Sequence, residues 1–230
     1  MRNLLPEMIN VIVDHRILTV CPHINIGLLS ADVVNCDTPD ALWQELEDEA
    51  AKIASTYQLL EINQRPAIAA TRKLYKSLGK DPGRYRMSSE ALCRRIIRGL
   101  WLYRLTSLID IVNLVSIKSG YAISGLDADK LVGDTLTMGV GEKDEQYCAI
   151  GRGFLNIEGL PVYRDAQGGV ATPTSDEERT KFTLETTKVQ ININAFGPEM
   201  PVDEALTWTA SLLERYVQAT NIETKIISEF

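Results

Sequence analysis

From Met8 to Asn35 the chain alternates β-branched with polar residues, as in VIVDHRILTV and INIGLLSADVV. A period near two predicts two or three strands. The period then lengthens. ALWQELEDEAAKIASTYQLL keeps a helical repeat to about Leu60, with Thr38 placed to cap it, Pro39 suited to the first helical position and Asp40 in the first turn. A second helix is predicted from Pro66 to Leu78, closed by Gly79 and stopped by Asp81-Pro82. A third starts at Ser88 or Ser89, with Glu90 in its first turn and Leu92, Ile96 and Leu100 along one side. Thr106 to Ile117 is apolar enough for a buried helix, with a strand as the rival reading because of its β-branched content.

Beyond Gly120 the texture changes to short alternating runs broken by glycine: LTMGV, YCAIG, GFLNIEG, LPVYRD, GGVATP and the long FTLETTKVQININAF. VYRDAQGGVATP has the form of a hairpin, two short strands around a glycine-containing turn. Pro201 to Ala219 is an amphipathic helix. Strands, then helices, then strands and a closing helix predict an α+β fold, a mixed or antiparallel β-sheet core flanked by helices. No repeat or low-complexity linker divides it, so one domain over residues 1–230 is expected.

With 230 residues, 45% of them apolar and 24% charged, the chain can bury a substantial core. The N-terminal MRNLLPEMINVIVDHR lacks an apolar signal region, and no apolar run approaches the roughly 20 residues that span a bilayer. A soluble, cytoplasmic protein with no membrane partner is the expectation. Cys21, Cys36, Cys93 and Cys148 are scattered, and His15 and His23 are the only histidines. That spacing argues against a zinc site, a disulfide framework and histidine-assisted nucleophilic catalysis, so no metal is expected. There is no phosphate-binding G-x-x-x-x-G-K-[ST] loop, and Gly151-Arg152-Gly153 lacks the third glycine of a dinucleotide fingerprint. No cofactor and no nucleoside-triphosphate chemistry are expected.

Charge alters this bland picture. Residues 65–104 carry eleven basic side chains against Asp81 and Glu90, a surplus of nine; with the whole chain at −7, the remaining 190 residues hold −16. Such segregation marks a surface for polyanions. Tyr75, Tyr85, Trp101 and Tyr103 interleave with the basic residues, as stacking on unpaired bases requires. The competing reading is structural: the arginines and lysines cover helix exteriors or pair with the acidic helix at 45–49.

The run Arg72-Lys73-Leu74-Tyr75-Lys76-Ser77-Leu78-Gly79-Lys80-Asp81-Pro82, followed by Arg84-Tyr85-Arg86 and Ser88-Ser89-Glu90-Ala91-Leu92, resembles the B3/B4 domain of the phenylalanyl-tRNA synthetase β subunit and its free-standing bacterial relatives. Ile109-Asp110-Ile111-Val112-Asn113-Leu114 is similar to the family's Val-Asp-x-x-Asn-Tyr helix, Gly120-Tyr121-Ala122-Ile123-Ser124-Gly125-Leu126-Asp127 to its Gly-Gln-Pro-x-His-Ala-Phe-Asp segment, and Gly141-Glu142 to its Gly-Glu pair. The resemblance runs from about Ile62 to Phe196. It divides the chain into N-terminal strands and helix (1–61), a B3/B4 core (62–196) and a C-terminal helix (197–230).

The resemblance implies tRNA as partner and an editing function, hydrolysis of tyrosine wrongly esterified to phenylalanine tRNA, which a free-standing copy would perform in trans. A second site that hydrogen-bonds the extra hydroxyl restores a discrimination that the synthetic site lacks. The implied substrate pocket contains Asn113, Ser124, Gly125 and, in the run Thr183-Leu184-Glu185-Thr186, Glu185 as acceptor of the tyrosine hydroxyl. Val112 replaces the family's threonine and Ser124 its pocket histidine, and Gly168, Gly169 and Val170 are only candidates for its glycine-rich loop, which is not cleanly present; no catalytic residue is implied. The RNA face is expected at Arg72, Lys73, Lys76, Lys80, Arg84, Arg86, Arg94, Arg95 and Arg98, without DNA specificity. Two alternatives stand beside the hydrolase: a non-catalytic RNA-binding module, and a protein that binds an amino acid or related metabolite while its basic helices pair internally. Aminoacylation is not expected in a chain without a nucleotide motif. Oligomeric state stays open.

Overall fold

The computed structural model describes residues 8–197 and 199–228. The chain begins with β1 (Asn10–Val13), α1 (His15–Val20), β2 (Asn25–Asp32) and α2 (Asp40–Thr56). Three further helices follow, α3 (Pro66–Ser77), α4 (Ser88–Ile97) and α5 (Ser107–Ser119). Then come β3 (Ala122–Asp127), β4 (Thr135–Val140), β5 (Cys148–Ala149), β6 (Gly153–Phe154), β7 (Pro161–Arg164), β8 (Gly169–Thr172), β9 (Ser175–Asp176) and β10 (Lys188–Ala195). The described chain closes with α6 (Val202–Val217) and β11 (Thr220–Ile227).

Nine of the described strands form two stacked sheets, and β5 and β6 pair separately as a short two-stranded sheet. One has the order β11-β2-β10-β3 and is antiparallel throughout; the other, β1-β4-β7-β8-β9, is mixed, because β1 runs parallel to β4. The fold is α+β. Alternation along β10 sorts its side chains between two layers. Val189, Ile191 and Ile193 join Leu114 and Val115 of α5 and Leu206 and Leu213 of α6 in the main core. Gln190, Asn192 and Asn194 point the other way, where Gln190 Nε2 donates to Asn192 Oδ1 at 2.9 Å and Tyr163 Oη donates to Asn194 Oδ1 at 2.6 Å. A second apolar cluster, including Ile26, Leu28, Leu126, Leu136 and Met138, fills the space between the sheets.

Several elements depart from the sequence pattern for local reasons. The alternating HRILTV is a helix, because the Asp14 carboxylate accepts from the Arg16 N–H at 2.8 Å and caps it. Thr38 does not cap α2, where Pro39 is the cap residue; its hydroxyl donates instead to the buried Asp110 carboxylate at 2.5 Å. Neither Ser88 nor Ser89 caps α4: Met87 is the cap residue, and Ser89 Oγ donates to the Gly120 carbonyl at 2.9 Å. The helical reading of Thr106–Ile117 is the one adopted, and α5 ends at Gly120 with φ of 75°. At that glycine a Cβ would stand 2.1 Å from the Glu199 carboxylate. The C-terminal segment is not wholly helical. Gln218 in the left-handed region ends α6, and the β-branched run after it pairs antiparallel with β2 as β11.

The expected late strand also starts later than its pattern, at Lys188. Upstream, Thr186 Oγ1 accepts from the Thr183 N–H at 2.9 Å and donates to Asp127 Oδ2 at 2.8 Å, which closes residues 183–186 into a turn. Glu185 is exposed on that turn.

Candidate functional site

Four pieces of chain enclose a cleft of about 630 Å³. Helix α5 supplies Ile109, Val112, Asn113 and Ser116, spaced by three and four residues so that they share one face. From β3 come Ile123 and Gly125, two apart on one side of the strand. The tight β8–β9 hairpin adds Thr172, Thr174, Ser175 and Asp176, and Phe182 closes one wall. Tyr103, Ile150, Arg152 and Lys181 stand around the opening. Gly125 is required by this arrangement, since a Cβ there would lie 2.5 Å from the Phe182 ring.

The hairpin is held rigidly. Thr172 Oγ1 accepts from the Thr174 and Ser175 N–H groups at 3.2 and 3.1 Å and donates to the Ser175 carbonyl at 2.9 Å. Tyr147 Oη donates to the same carbonyl at 2.7 Å, the Tyr75 and Thr174 hydroxyls bond at 2.9 Å, and the Ser88 N–H reaches the Pro173 carbonyl at 2.8 Å. Asp176 is thereby fixed against β3, where its Oδ2 accepts from the Gly125 N–H at 3.1 Å. Burial of this carboxyl raises its pKa from the ordinary 3.8 to about 7, against the lowering effect of the Gly125 N–H and the Ser124 side chain. The cleft thus combines an apolar wall, a row of neutral hydroxyl and amide groups, and one carboxyl poised between its charged and neutral forms near neutral pH.

Of the four pocket residues implied by resemblance, Asn113 and Gly125 line the cleft. Ser124 lies behind it, buried on the other face of β3 with its side chain toward Asp176. Glu185 does not line the cleft; its turn holds it in solvent. The carboxylate that does, Asp176, escaped the sequence reading because its two-residue strand has no pattern of its own. The hairpin signal VYRDAQGGVATP, with its turn at the glycines, stops at Pro173, three residues short of Asp176. Of the loop candidates, Gly168, Gly169 and Val170, none lines the cleft; Gly169 and Val170 begin the strand that delivers Thr172.

The sequence matches the B3/4 domain family over residues 70–221, about two thirds of the chain. The chain belongs to the B3/4 domain family. No curated protein matches it. Among solved structures, it is similar to an N-terminal fragment of the phenylalanyl-tRNA synthetase β-subunit from Pyrococcus horikoshii, at 17% identity and a TM-score of 0.49, covering 93% of this chain and 50% of that one. It therefore spans half the length of that fragment. The matched segment contains every element that lines the B3/4 cleft.

The basic segment separates into two classes. Arg72 binds Glu90 and the Pro82 carbonyl, Arg86 and Arg94 also approach Glu90, and Lys80 is buried with its ammonium on the Asn156 and Glu158 carbonyls at 2.9 and 2.5 Å. These four side chains are committed to the fold. Arg65, outside the expected RNA face, is buried on Glu199 and on the Ile117 and Lys118 carbonyls. Lys73, Lys76, Arg84 and Arg98 are exposed, and Arg95 lies over the Tyr103 ring at 4.5 Å. Among the described residues, Arg94, Arg95 and Arg98 form no ion pair with Glu45, Glu47 or Glu49; Glu45 instead accepts from Arg215 and Tyr216. Internal pairing of the basic segment runs instead through Glu90, Glu199 and Asp40, and it leaves Arg95 and Arg98 without an ion pair among the described residues. No described helix is long and apolar enough to cross a membrane.

Proposed function

We propose that the B3/4 cleft receives the aminoacyl end of a charged tRNA and hydrolyses its ester. The observation that carries this reading is Asp176, a carboxyl with pKa about 7 fixed among neutral hydrogen-bonding groups in a cleft with a basic and aromatic rim. A group whose pKa sits near the working pH is suited to general-base catalysis. Asp176 takes a proton from water, the hydroxide equivalent attacks the ester carbonyl, and the bond to the ribose oxygen breaks. The products are a free amino acid and a tRNA whose terminal hydroxyl recovers the proton.

Ile109, Val112, Ile123 and Phe182 provide the apolar surface for an aromatic side chain, and Asn113 and Ser116 offer partners for a phenolic hydroxyl. Tyrosine esterified to phenylalanine tRNA is the substrate this combination favours. Incubating purified protein with that mischarged tRNA is expected to release tyrosine faster than buffer alone, with phenylalanyl-tRNA spared. Equal rates with and without protein would leave an RNA-binding module without chemistry. Because Glu185 faces solvent away from the cleft, Glu185→Ala is expected to deacylate within about two-fold of wild type, as surface changes remote from a site do. A large loss in that variant would move the site to the 183–186 turn.

A further inference from the structure

The connection from Gly99 to Thr106, between α4 and α5, turns large apolar side chains toward solvent while being tied down. Leu102 faces the core at 8% exposure; its neighbours Trp101 and Tyr103 are 74% and 68% exposed. Arg95 anchors one half, its Nε donating to the Trp101 carbonyl at 2.8 Å while its guanidinium lies over the Tyr103 ring. Arg104 anchors the other, through the Thr38 carbonyl at 2.5 Å and Asp40 at 2.7 Å. Two aromatic rings held out in water by a pinned backbone are not explained by packing, and clustered exposed apolar surface marks a contact site.

Position and charge indicate what touches it. Tyr103 is part of the cleft lining, whereas Trp101 borders a neighbouring groove of about 430 Å³ whose far wall on α2 carries Glu47 and Asp48. An anionic strand is repelled from that acidic wall and drawn toward Arg95, Arg98 and, among the cleft residues, Arg152. We propose that Trp101 and Tyr103 form a stacking platform for the unpaired 3′-terminal nucleotides of an RNA and lead its last residue into the cleft. Stacking accepts any base, because every base has a π face, and the arginine beside Tyr103 meets the adjacent phosphate. This rests on the reading of the cleft as the seat of the aminoacyl end, and it adds how that end arrives.

The test uses the full chain with a labelled, unstructured oligoribonucleotide and a blunt RNA duplex of equal length, read by fluorescence anisotropy. Wild type is expected to prefer the single strand. Trp101→Ala and Tyr103→Ala should each weaken it by about ten-fold, as loss of one base–aromatic stack does, while Trp101→Phe and Tyr103→Phe retain most of the affinity. Since both side chains are exposed, thermal midpoints should not move. Single-strand binding unchanged in the double alanine variant overturns the proposal. So does a wild type that ignores the oligonucleotide but self-associates through this face, with sedimentation returning monomer in Trp101→Ala. Deacylation of mischarged tRNA with an unaltered KM in the double variant removes the platform and leaves the cleft reading intact. Aromatic-dependent oligonucleotide binding in a protein that deacylates nothing supports the platform and removes the hydrolase.

Discussion

Glu90→Ala is expected to lower folding stability by about 3–5 kcal/mol, measured by urea denaturation with an unchanged m-value. Glu90 sits in the first turn of α4, and its side chain is only 2% exposed. Arg72 Nη1 lies 2.9 and 3.1 Å from its two oxygens, Arg86 Nε 3.4 Å away and Arg94 Nη1 3.9 Å away. One carboxylate therefore organises three guanidinium groups from α3, the connecting turn and α4. Truncation leaves three like charges facing one another where none is fully hydrated, which is costlier than losing an exposed pair. Arg98→Ala, on the exposed end of the same helix, should change stability by no more than about 0.5 kcal/mol. A Glu90→Ala loss below about 1 kcal/mol would mean that the three arginines swing freely into water, and would return them to the RNA-binding face.

Asp176→Asn is expected to reduce deacylation by about a hundred-fold or more, the contribution of a positioned general base. It should also stabilise the fold. The folded carboxyl titrates at about 7 against an ordinary value of 3.8, so between those values the folded chain holds more protons than the unfolded one. Stability then falls as pH rises through that window and is level above it. An amide cannot ionise, yet its oxygen can still accept from the Gly125 N–H. Full burial with a pKa of about 7 in place of 3.8 would correspond to about 4 kcal/mol, but the residue keeps partial exposure, so a gain of about 1–3 kcal/mol at pH 8 is the expectation, vanishing near pH 4. Wild-type deacylation should rise from pH 6 to 8 and then level off. Equal stabilisation of the variant at pH 4 and pH 8 would show that this carboxyl does not titrate in the window.

The helices from α2 onward and the hairpin that starts at Pro161 were legible because each has a long enough period or a turn of sufficient chemistry: α3 with Pro66 and Gly79, α6 with its apolar stripe, Pro161–Arg164 with Gly169–Thr172. What failed was decided by single hydrogen bonds, local at α1, where Asp14 caps through the Arg16 N–H, and elsewhere between residues far apart in sequence. Thr38 looks like a cap until Asp110, seventy-two positions away, takes its hydroxyl. Glu185 looks like a strand residue until Thr186 is seen to bond Asp127. Composition could count Glu90 as one of two acids among eleven bases, but not reveal that three of those bases converge on it. In the cleft, the α5 face was readable from spacing, whereas Asp176 belongs to a strand too short to show alternation.

The two faces of β10 carry a consequence for how the sheet assembles. A slip of one residue against β2 or β3 would thrust Gln190, Asn192 and Asn194 among the leucines and valines of α5 and α6, and turn Val189, Ile191 and Ile193 toward Tyr163. Each misplaced carboxamide left without a partner costs about 1–3 kcal/mol, so misaligned pairings are excluded by several times the thermal energy. The central strand thus works as a key with one set of teeth: it admits a single alignment of its neighbours, and so fixes the height at which β3 presents Gly125 to Asp176.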